Sequence, residues 1–202
     1  MKKVLACLAL TSAFIAPSHA GAIYTTSASF LPNVASGAYT ETFSTNFSNT
    51  PTSRNYSGGA FSYRASAVGG LYDNGVFLGT VDANTPLVIS FTGAAVTAIG
   101  ANFYNTNVLD NFVSVAITVA LSDGTTQSFT PTSATNSYRG FTTDMAITSM
   151  TIRNTSANSF VGLDNLTVGR ALAPAVVPEP ASLAIVGLGL AGLGVMRRRR
   201  QS

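Results

Sequence analysis

Strict alternation of apolar and small side chains over one stretch constrains the fold of this chain more than any other feature. Between Phe112 and Leu121, apolar residues at 113, 115, 117, 119 and 121 alternate with Ser, Ala and Thr. A period of two predicts a strand with one face on a core and the other toward solvent. Asp123-Gly124 follows, which is typical of a hairpin turn, and Thr125 to Thr130 then forms the partner strand.

Similar segments recur through the middle of the chain, with no helical periodicity of useful length between them. They run from Tyr39 to Phe47, Ala60 to Ser66, Leu87 to Thr92, Val96 to Tyr104, Ala146 to Arg153 and Phe160 to Val168. Asp73-Asn74-Gly75 is a second turn candidate. Roughly eight to ten short strands separated by turn residues are typical of an antiparallel sandwich. We therefore predict an all-β fold over residues 21–170, an antiparallel β-sandwich that is most closely a jelly roll.

The first 20 residues have the plan of a secretory signal peptide. Lys2 and Lys3 precede an apolar stretch too short to span a bilayer comfortably, and Ser18-His19-Ala20 forms a small-x-small cleavage site. An N-terminal membrane anchor is the alternative. Removal of this segment takes away the only cysteine (Cys7), the only histidine and both lysines. Triads with histidine, cysteine nucleophiles and His/Cys zinc sites are thereby excluded from the mature chain.

The charge of the predicted domain differs in sign from that of the whole chain. The full chain has a formal net charge of +3, but Gly21 to Arg170 contains seven acids and five arginines, a balance of 5 − 7 = −2. The positive charge therefore lies at the two termini. A nucleic-acid-binding domain needs a basic patch of its own, so this class of function is disfavoured.

The C-terminal segment combines three parts in order. After a linker over residues 171–177, residues 178–202 contain Pro178-Glu179-Pro180, an uncharged run of about 16 residues from Ala181 to Met196, and Arg197 to Arg200. The run lies near the lower limit for a membrane-spanning helix. We predict a single short transmembrane helix, with the arginines on the cytoplasmic side by the positive-inside rule.

These three parts resemble the PEP-CTERM sorting signal. The resemblance implies recognition by an exosortase, a membrane processing enzyme of Gram-negative bacteria that make extracellular polysaccharide. It also implies transient anchoring in the inner membrane, cleavage near the Pro-Glu-Pro, and transfer to the cell surface or extracellular matrix. A plain permanent anchor is the alternative. If the segment is such a sorting signal, the residues that the exosortase recognises are Pro178, Glu179, Pro180, Arg197, Arg198, Arg199 and Arg200.

Two carboxylates share the parity of apolar residues in their strands. Glu41 alternates in phase with Tyr39 and Phe43, and Asp164 in phase with Leu166 and Val168, so both are predicted to point inward. A buried carboxylate needs a partner, and calcium is a candidate because it takes oxygen ligands. Leu163-Asp164-Asn165-Leu166, paired with Glu41, resembles the structural calcium site of carbohydrate-binding jelly rolls, in which first and last strands adjoin. The alternative is hydrogen bonding at a turn and at a strand edge.

The leading functional hypothesis is a non-enzymatic surface or matrix protein, with extracellular polysaccharide as its expected ligand. Candidate sugar-stacking aromatics lie near predicted turns: Tyr56, Tyr72, Tyr104 and Tyr138. One alternative is a carbohydrate-active enzyme, which needs only two facing carboxylates. Another is a structural coat component that packs through strand edges. Facing carboxylates in a groove would favour the enzyme, and exposed aromatics on one face would favour glycan binding.

Overall fold

The computed structural model describes residues 21–173 as a sandwich of two antiparallel sheets. The predicted signal peptide, most of the predicted linker and the whole of residues 178–202, including the predicted transmembrane helix, lie outside the described residues. Within residues 21–173, no helix is both long enough and apolar enough to cross a membrane. The predicted all-β antiparallel sandwich is confirmed.

The first sheet contains eight strands and the second contains six. The first is built from β1 (Ala22–Tyr24), β2 (Tyr39–Glu41), β5 (Leu71–Asp73), β6 (Leu78–Thr80), β8 (Val96–Thr106), β9 (Phe112–Val113), β12 (Tyr138–Ile147) and β14 (Phe160–Gly169). The second is built from β3 (Ser53–Gly58), β4 (Phe61–Ser66), β7 (Leu87–Phe91), β10 (Ile117–Leu121), β11 (Thr126–Phe129) and β13 (Ser149–Asn154). A short helix α1 (Ser27–Phe30) and a 3-10 turn (Leu31–Asn33) follow β1.

From β6 to β14 the chain passes repeatedly from one sheet to the other. The first sheet has the order β1-β12-β8-β14-β6-β5, and the second has the order β11-β10-β13-β7-β4-β3. In addition, β2 pairs with β14, so that Tyr39 lies opposite Val168 and Glu41 opposite Leu166. The early strand β2 and the last strand β14 are therefore neighbours, as the resemblance to carbohydrate-binding jelly rolls predicted.

The inward faces of both sheets form one apolar core. Phe103, Phe141 and Leu163 from the first sheet and Tyr63 and Ile152 from the second are fully buried in it. The predicted alternation explains this, because every second side chain of a strand points to the same face. Burial of such residues stabilises a fold by roughly 1.5–3 kcal/mol each.

Two arginines cover apolar rings at the open margins of the sandwich. The Arg139 guanidinium lies 3.7 Å from the centre of the Phe129 ring, and that of Arg54 lies 4.4 Å from the centre of the Phe47 ring. Both arginines extend from inward positions, since Arg139 pairs with Ala101 and Arg54 with Ala65. Each aliphatic stem thus contacts the core while the charge reaches the edge.

Helix α1 covers one end of the outer face of the first sheet. Thr26 caps it by accepting the backbone N–H of Ser29 at 3.1 Å. Phe30 is fully buried and lies on Gly100 and Gly140, where any Cβ would collide with its ring. These two glycines are therefore required by close packing and not by an unusual backbone conformation.

Two predicted strands are shorter in the structure than the sequence pattern indicated. The alternating segment Phe112 to Leu121 breaks at residues 114–116, so that β9 pairs with β8 in the first sheet and β10 lies in the second. The Ser114 hydroxyl donates to the Pro131 carbonyl at 2.9 Å at this crossing. Alternation indicates which face of a sheet a side chain occupies, but it does not indicate which sheet the strand joins. The prediction of one long strand from Phe112 to Leu121 was therefore wrong.

The strand predicted from Tyr39 to Phe47 ends at Glu41, and the linker predicted from residue 171 begins later. Phe43 adopts a positive φ of 48° and turns into the core, which ends the ladder. Ala171 bridges to Val34, and the Leu172 N–H donates to the Asn33 carbonyl at 2.9 Å. These contacts extend the folded domain to Leu172, beyond the predicted boundary at residue 170.

A β-bulge in β14 changes the direction of its side chains. Asp164 lies opposite Asn102, but Thr167 lies opposite Gly100, so β14 has one residue more than β8 between these pairs. The extra residue is exposed Asn165, with a φ of +53°. Leu163, Leu166 and Val168 all reach the core, whereas Asp164 points outward. The predicted inward orientation of Asp164 is therefore wrong, because a bulge shifts the period by one residue.

We expect Asn165→Val to destabilise the domain, because a β-branched residue at positive φ costs on the order of 1–2 kcal/mol. Thermal melting should show a fall of roughly 2–8 °C for a domain of this size. Asn165→Gly, which removes the side chain and favours the same backbone conformation, should melt near the parent temperature. Equal melting temperatures for the Val and Gly variants would contradict the bulge.

Candidate functional site

A pocket of about 190 Å³ opens on the outer face of the first sheet, where β5, β6 and β14 meet the loop that follows β8. We call it the aromatic pocket. Its wall combines rings, hydroxyls and one carboxylate, contributed by Tyr72, Phe77, Phe160, Thr80, Thr106 and Asp110. Val108 and Leu109 on the same loop are 80% and 74% exposed, so the rim of the pocket is apolar and accessible.

A pair of glycines allows two rings beside the aromatic pocket to pack close to the backbone of the first sheet. Gly79 and Gly162 face each other across β6 and β14. A Cβ on Gly79 would approach the Phe77 ring to 3.1 Å, and a Cβ on Gly162 would approach the Tyr104 ring to 2.9 Å. The Phe77 ring therefore packs against the backbone of Gly79, and the Tyr104 ring against that of Gly162. The centre of the Phe77 ring is 5.7 Å from that of Tyr104 and 5.9 Å from that of Tyr72.

The loop after β8 places a carboxylate beside Tyr72. Asn107 orders the loop, since its side-chain oxygen accepts the backbone N–H groups of Leu109 at 2.9 Å and Asn111 at 3.1 Å. Asp110 then accepts the Tyr72 hydroxyl at 2.6 Å and the Asn74 amide at 3.2 Å, both on Oδ2. This hydrogen bond to a carboxylate raises the pKa of Tyr72, so the phenol stays protonated.

The chemistry of this wall suits a neutral, hydroxyl-rich ligand. The aromatic faces can pack against C–H groups, while Asp110 Oδ1, Asn107 and the threonine hydroxyls can exchange hydrogen bonds with ligand hydroxyls. Asp110 is the single carboxylate among the residues that line the pocket. Glycoside hydrolysis uses a pair of carboxylates across the scissile bond, and the pocket does not supply that pair from its own wall.

The four sequence-predicted aromatics are distributed over different parts of the domain. Only Tyr72 lines the aromatic pocket. Tyr104 is 6% exposed and supports Phe77 from behind, while Tyr56 packs between the sheets and stacks on Tyr63 at 5.2 Å. Tyr138 packs against Phe30 and borders a separate polar pocket with Asn102 and Asn136.

The structure does not bring Glu41 and Asp164 together. Glu41 lies opposite Leu166 and points toward the core, as predicted, whereas Asp164 lies opposite Asn102 on the outer face. Asp164 accepts the backbone N–H and the side-chain amide of Asn165, both at 2.7 Å. Burial raises the pKa of the Asp164 carboxyl, and the backbone hydrogen bond opposes that shift. Within residues 21–173, no group of three or more acidic, histidine or cysteine side chains is placed to hold a metal.

The acidic residue near Glu41 on the core side is instead Asp73. Glu41 accepts the Tyr39 hydroxyl and, at 3.1 Å, the Phe43 backbone N–H. Asp73 is 2% exposed; its Oδ1 accepts the Gly75 N–H at 2.8 Å, and its Oδ2 has no hydrogen-bond partner. The Tyr56 and Tyr63 hydroxyls are also buried without partners. The phenol-carboxylate cluster at one margin of the core is thus formed by Tyr39, Glu41, Tyr56, Tyr63 and Asp73.

The sequence pattern predicted that Asp73 begins a turn, but it did not predict that the Asp73 carboxylate is buried. The Asp73-Asn74-Gly75 turn is confirmed, with Gly75 at a φ of +84°. Leu71-Tyr72-Asp73 does alternate, and Asp73 shares the parity of buried Leu71. Three residues are too short a strand for that alternation to be recognised. Phe77 and Asp110 were not predicted as site residues, because no local sequence pattern shows that their loops lie close together.

Comparison with known proteins identifies the C-terminal segment. Residues 176–200 match the PEP-CTERM protein-sorting motif. The chain carries a PEP-CTERM sorting signal. The match spans all seven residues predicted for recognition, and it confirms the predicted PEP-CTERM motif. This signal marks an exported protein that is sorted by an exosortase. No curated protein is significantly similar to the chain.

Two solved structures resemble the described domain distantly, and both are carbohydrate-binding modules. One is the CBM22-1 xylan-binding domain from Paenibacillus barcinonensis Xyn10C, with 15% identity, a TM-score of 0.33, and coverage of 67% of this chain and 94% of that one. The other is the family 11 carbohydrate-binding module of the cellulosomal cellulase Lic26A-Cel5E of Clostridium thermocellum. It has 14% identity, a TM-score of 0.26, and coverage of 69% and 99%.

We expect the stability of the domain to rise as the pH falls from neutral toward about 4, in part because of Asp73. Burial raises the pKa of this carboxyl above its value in the unfolded chain. A raised folded pKa contributes stability that is present below the unfolded pKa and is lost as the pH rises through the folded pKa. Melting of Asp73→Asn should therefore depend less on pH, with a melting temperature at pH 7 equal to or a few degrees above the parent.

The control for this measurement is Asp144→Asn, which changes an exposed acid on β12. Its melting profile against pH should follow the parent profile. If Asp73→Asn melts well below the parent at pH 7, the charged carboxylate is stabilised in the native domain and this account of the cluster is wrong.

Proposed function

We propose that this protein is a non-enzymatic, exosortase-processed component of the cell surface or extracellular matrix that binds neutral polysaccharide through the aromatic pocket. The sorting motif at residues 176–200 supports the destination. The polysaccharide ligand is supported by one observation above the others, the aromatic wall of the pocket, in which Tyr72 lies beside Phe77 and its hydroxyl is held by Asp110. An aromatic wall flanked by fixed hydrogen-bonding groups suits a sugar ring, which has both apolar C–H groups and hydroxyls.

The arrangement around Asp110 favours recognition over catalysis. Its Oδ2 is occupied by the Tyr72 hydroxyl and the Asn74 amide, which orient the carboxylate and leave Oδ1 to accept a ligand hydroxyl. A general acid or a nucleophile would need a second carboxylate across the ligand, and the lining residues contain none. The negative charge of Asp110 also disfavours acidic sugars at this pocket.

Export, processing and binding are separate steps of this function. The C-terminal helix would hold the chain in the inner membrane until the exosortase cleaves near Pro178-Glu179-Pro180. The β-sandwich would then be released toward the surface with its pocket accessible. The linker beyond Leu172 would separate the folded domain from the cleavage site, so that cleavage does not require unfolding.

We expect Tyr72→Ala to lower the affinity for a neutral β-linked oligosaccharide by roughly tenfold, because a central aromatic contact typically carries more than 1 kcal/mol of binding free energy. The oligosaccharide would be selected on an array of neutral glycans and measured by titration calorimetry. Thr118→Ala, on the second sheet, should bind as the parent does. Equal binding by Tyr72→Ala and Thr118→Ala would remove the aromatic pocket as the site.

In a host that carries an exosortase, we expect simultaneous replacement of Pro178, Glu179 and Pro180 by Ala to block processing. The uncleaved chain should accumulate in the membrane fraction and be depleted from the medium, as measured by immunoblotting against the β-sandwich. Pro174→Ala, four residues upstream of the motif, provides the control and should be processed normally. Normal release of the triple variant would show that the motif does not direct processing.

A further inference from the structure

The charges of the domain are segregated between its two sheets. The strands of the second sheet contain no acidic residue and three arginines, Arg54, Arg64 and Arg153. The strands of the first sheet contain four acids, Glu41, Asp73, Asp144 and Asp164, against one arginine, Arg139, a balance of 1 − 4 = −3. A domain that is acidic overall therefore has one wholly non-acidic sheet.

The outer face of the second sheet displays arginine among small hydroxyl side chains. Arg64 lies opposite Ser90, and Ser66 lies opposite Val88, which in turn lies opposite Thr151. Arg153 lies opposite Thr118. Arg54 is excluded from this face because it points inward over Phe47. The strand residues on this face are thus uncharged apart from the exposed Arg64 and Arg153.

A groove of about 300 Å³ lies beside Arg153 on this face. Pro86 and Val88 supply an apolar wall, and Thr52 and Ser66 supply hydroxyls. The Asp82 carboxylate packs against Gly69 in the connection after β4, one residue beyond Val68 in the groove lining. None of the residues that line the groove is acidic.

We propose that this face binds an acidic polysaccharide, with a carboxylated sugar residue seated in the groove beside Arg153. A guanidinium can donate two parallel hydrogen bonds to a carboxylate, which is the strongest single contact the face offers. Pro86 and Val88 pack against the apolar face of the sugar, and Thr52 and Ser66 bind its hydroxyls. The partner is a polysaccharide and not an acidic peptide because the groove pairs one cation with hydroxyl groups and an apolar wall.

Arg64 extends the same site along the polymer. Strand spacing places it about 10 Å across and about 13 Å along the sheet from Arg153. A polyuronate chain that runs diagonally over β4, β7 and β13 would present carboxylates to both arginines. The face is on the opposite side of the sandwich from the aromatic pocket, so a single molecule would bind a neutral chain and an acidic chain at once.

The test uses the full-length chain in detergent, with Arg197 to Arg200 replaced by Gln so that the tail cations do not bind the polymer. Binding of an oligogalacturonate would be measured beside that of its methyl ester, which has the same sugars without the charge. We expect Arg153→Gln to lower the affinity roughly tenfold and Arg64→Gln to lower it roughly threefold. Binding of the parent should weaken strongly as the salt rises to about 1 M.

Three controls make the outcome decisive. Arg170→Gln removes an exposed arginine outside this face and should bind as the parent does, and Tyr72→Ala should keep oligogalacturonate binding intact. Melting curves verify that each variant is folded. Equal affinity of Arg153→Gln and the parent would overturn the proposal, as would equal binding of the acid and its methyl ester.

Discussion

The burial of two apolar sheet faces against each other is the interaction on which the rest of this domain depends. The chain has one cysteine, Cys7, so no intramolecular disulfide can form, and the fold relies on its core. Side chains such as Phe103, Phe141 and Leu163 from one sheet meet Tyr63 and Ile152 from the other without exposure to solvent. Because this contact takes only every second residue of each strand, it leaves two outer faces available for binding.

The bulge at Asn165 shows how the core and the surface are coupled. One extra residue in β14 allows Leu163 before it and Leu166 after it both to be buried, and turns Asp164 outward. The same strand carries Gly162, on which Tyr104 packs, and begins at Phe160 in the wall of the aromatic pocket. One backbone irregularity therefore sets both the core packing of this strand and the outward position of an acid, and the regular part of the same strand contributes to the pocket wall.

The two outer faces differ in charge and in texture. The first sheet has aromatic rings packed over two glycines beside Asp110, and the second has arginines among serines and threonines. Neither arrangement belongs to the core between the two sheets, and Arg64 and Arg153 are exposed. Together with the sorting motif at residues 176–200, they support the proposed role among extracellular polysaccharides.

By itself the sequence determined the class of fold, the turns at Asp73-Asn74-Gly75 and Asp123-Gly124, and the sorting signal at 176–200. These features are local, since a period of two, a glycine with positive φ or a contiguous motif is complete within a few residues. Only the tertiary structure decided that Asp164 faces away from Glu41, that Asp110 meets Tyr72, and that the strands of the second sheet contain arginines and no acid. Those features depend on strand register, on the bulge and on the assignment of strands to sheets, which are set by pairing between residues as far apart in sequence as Glu41 and Leu166.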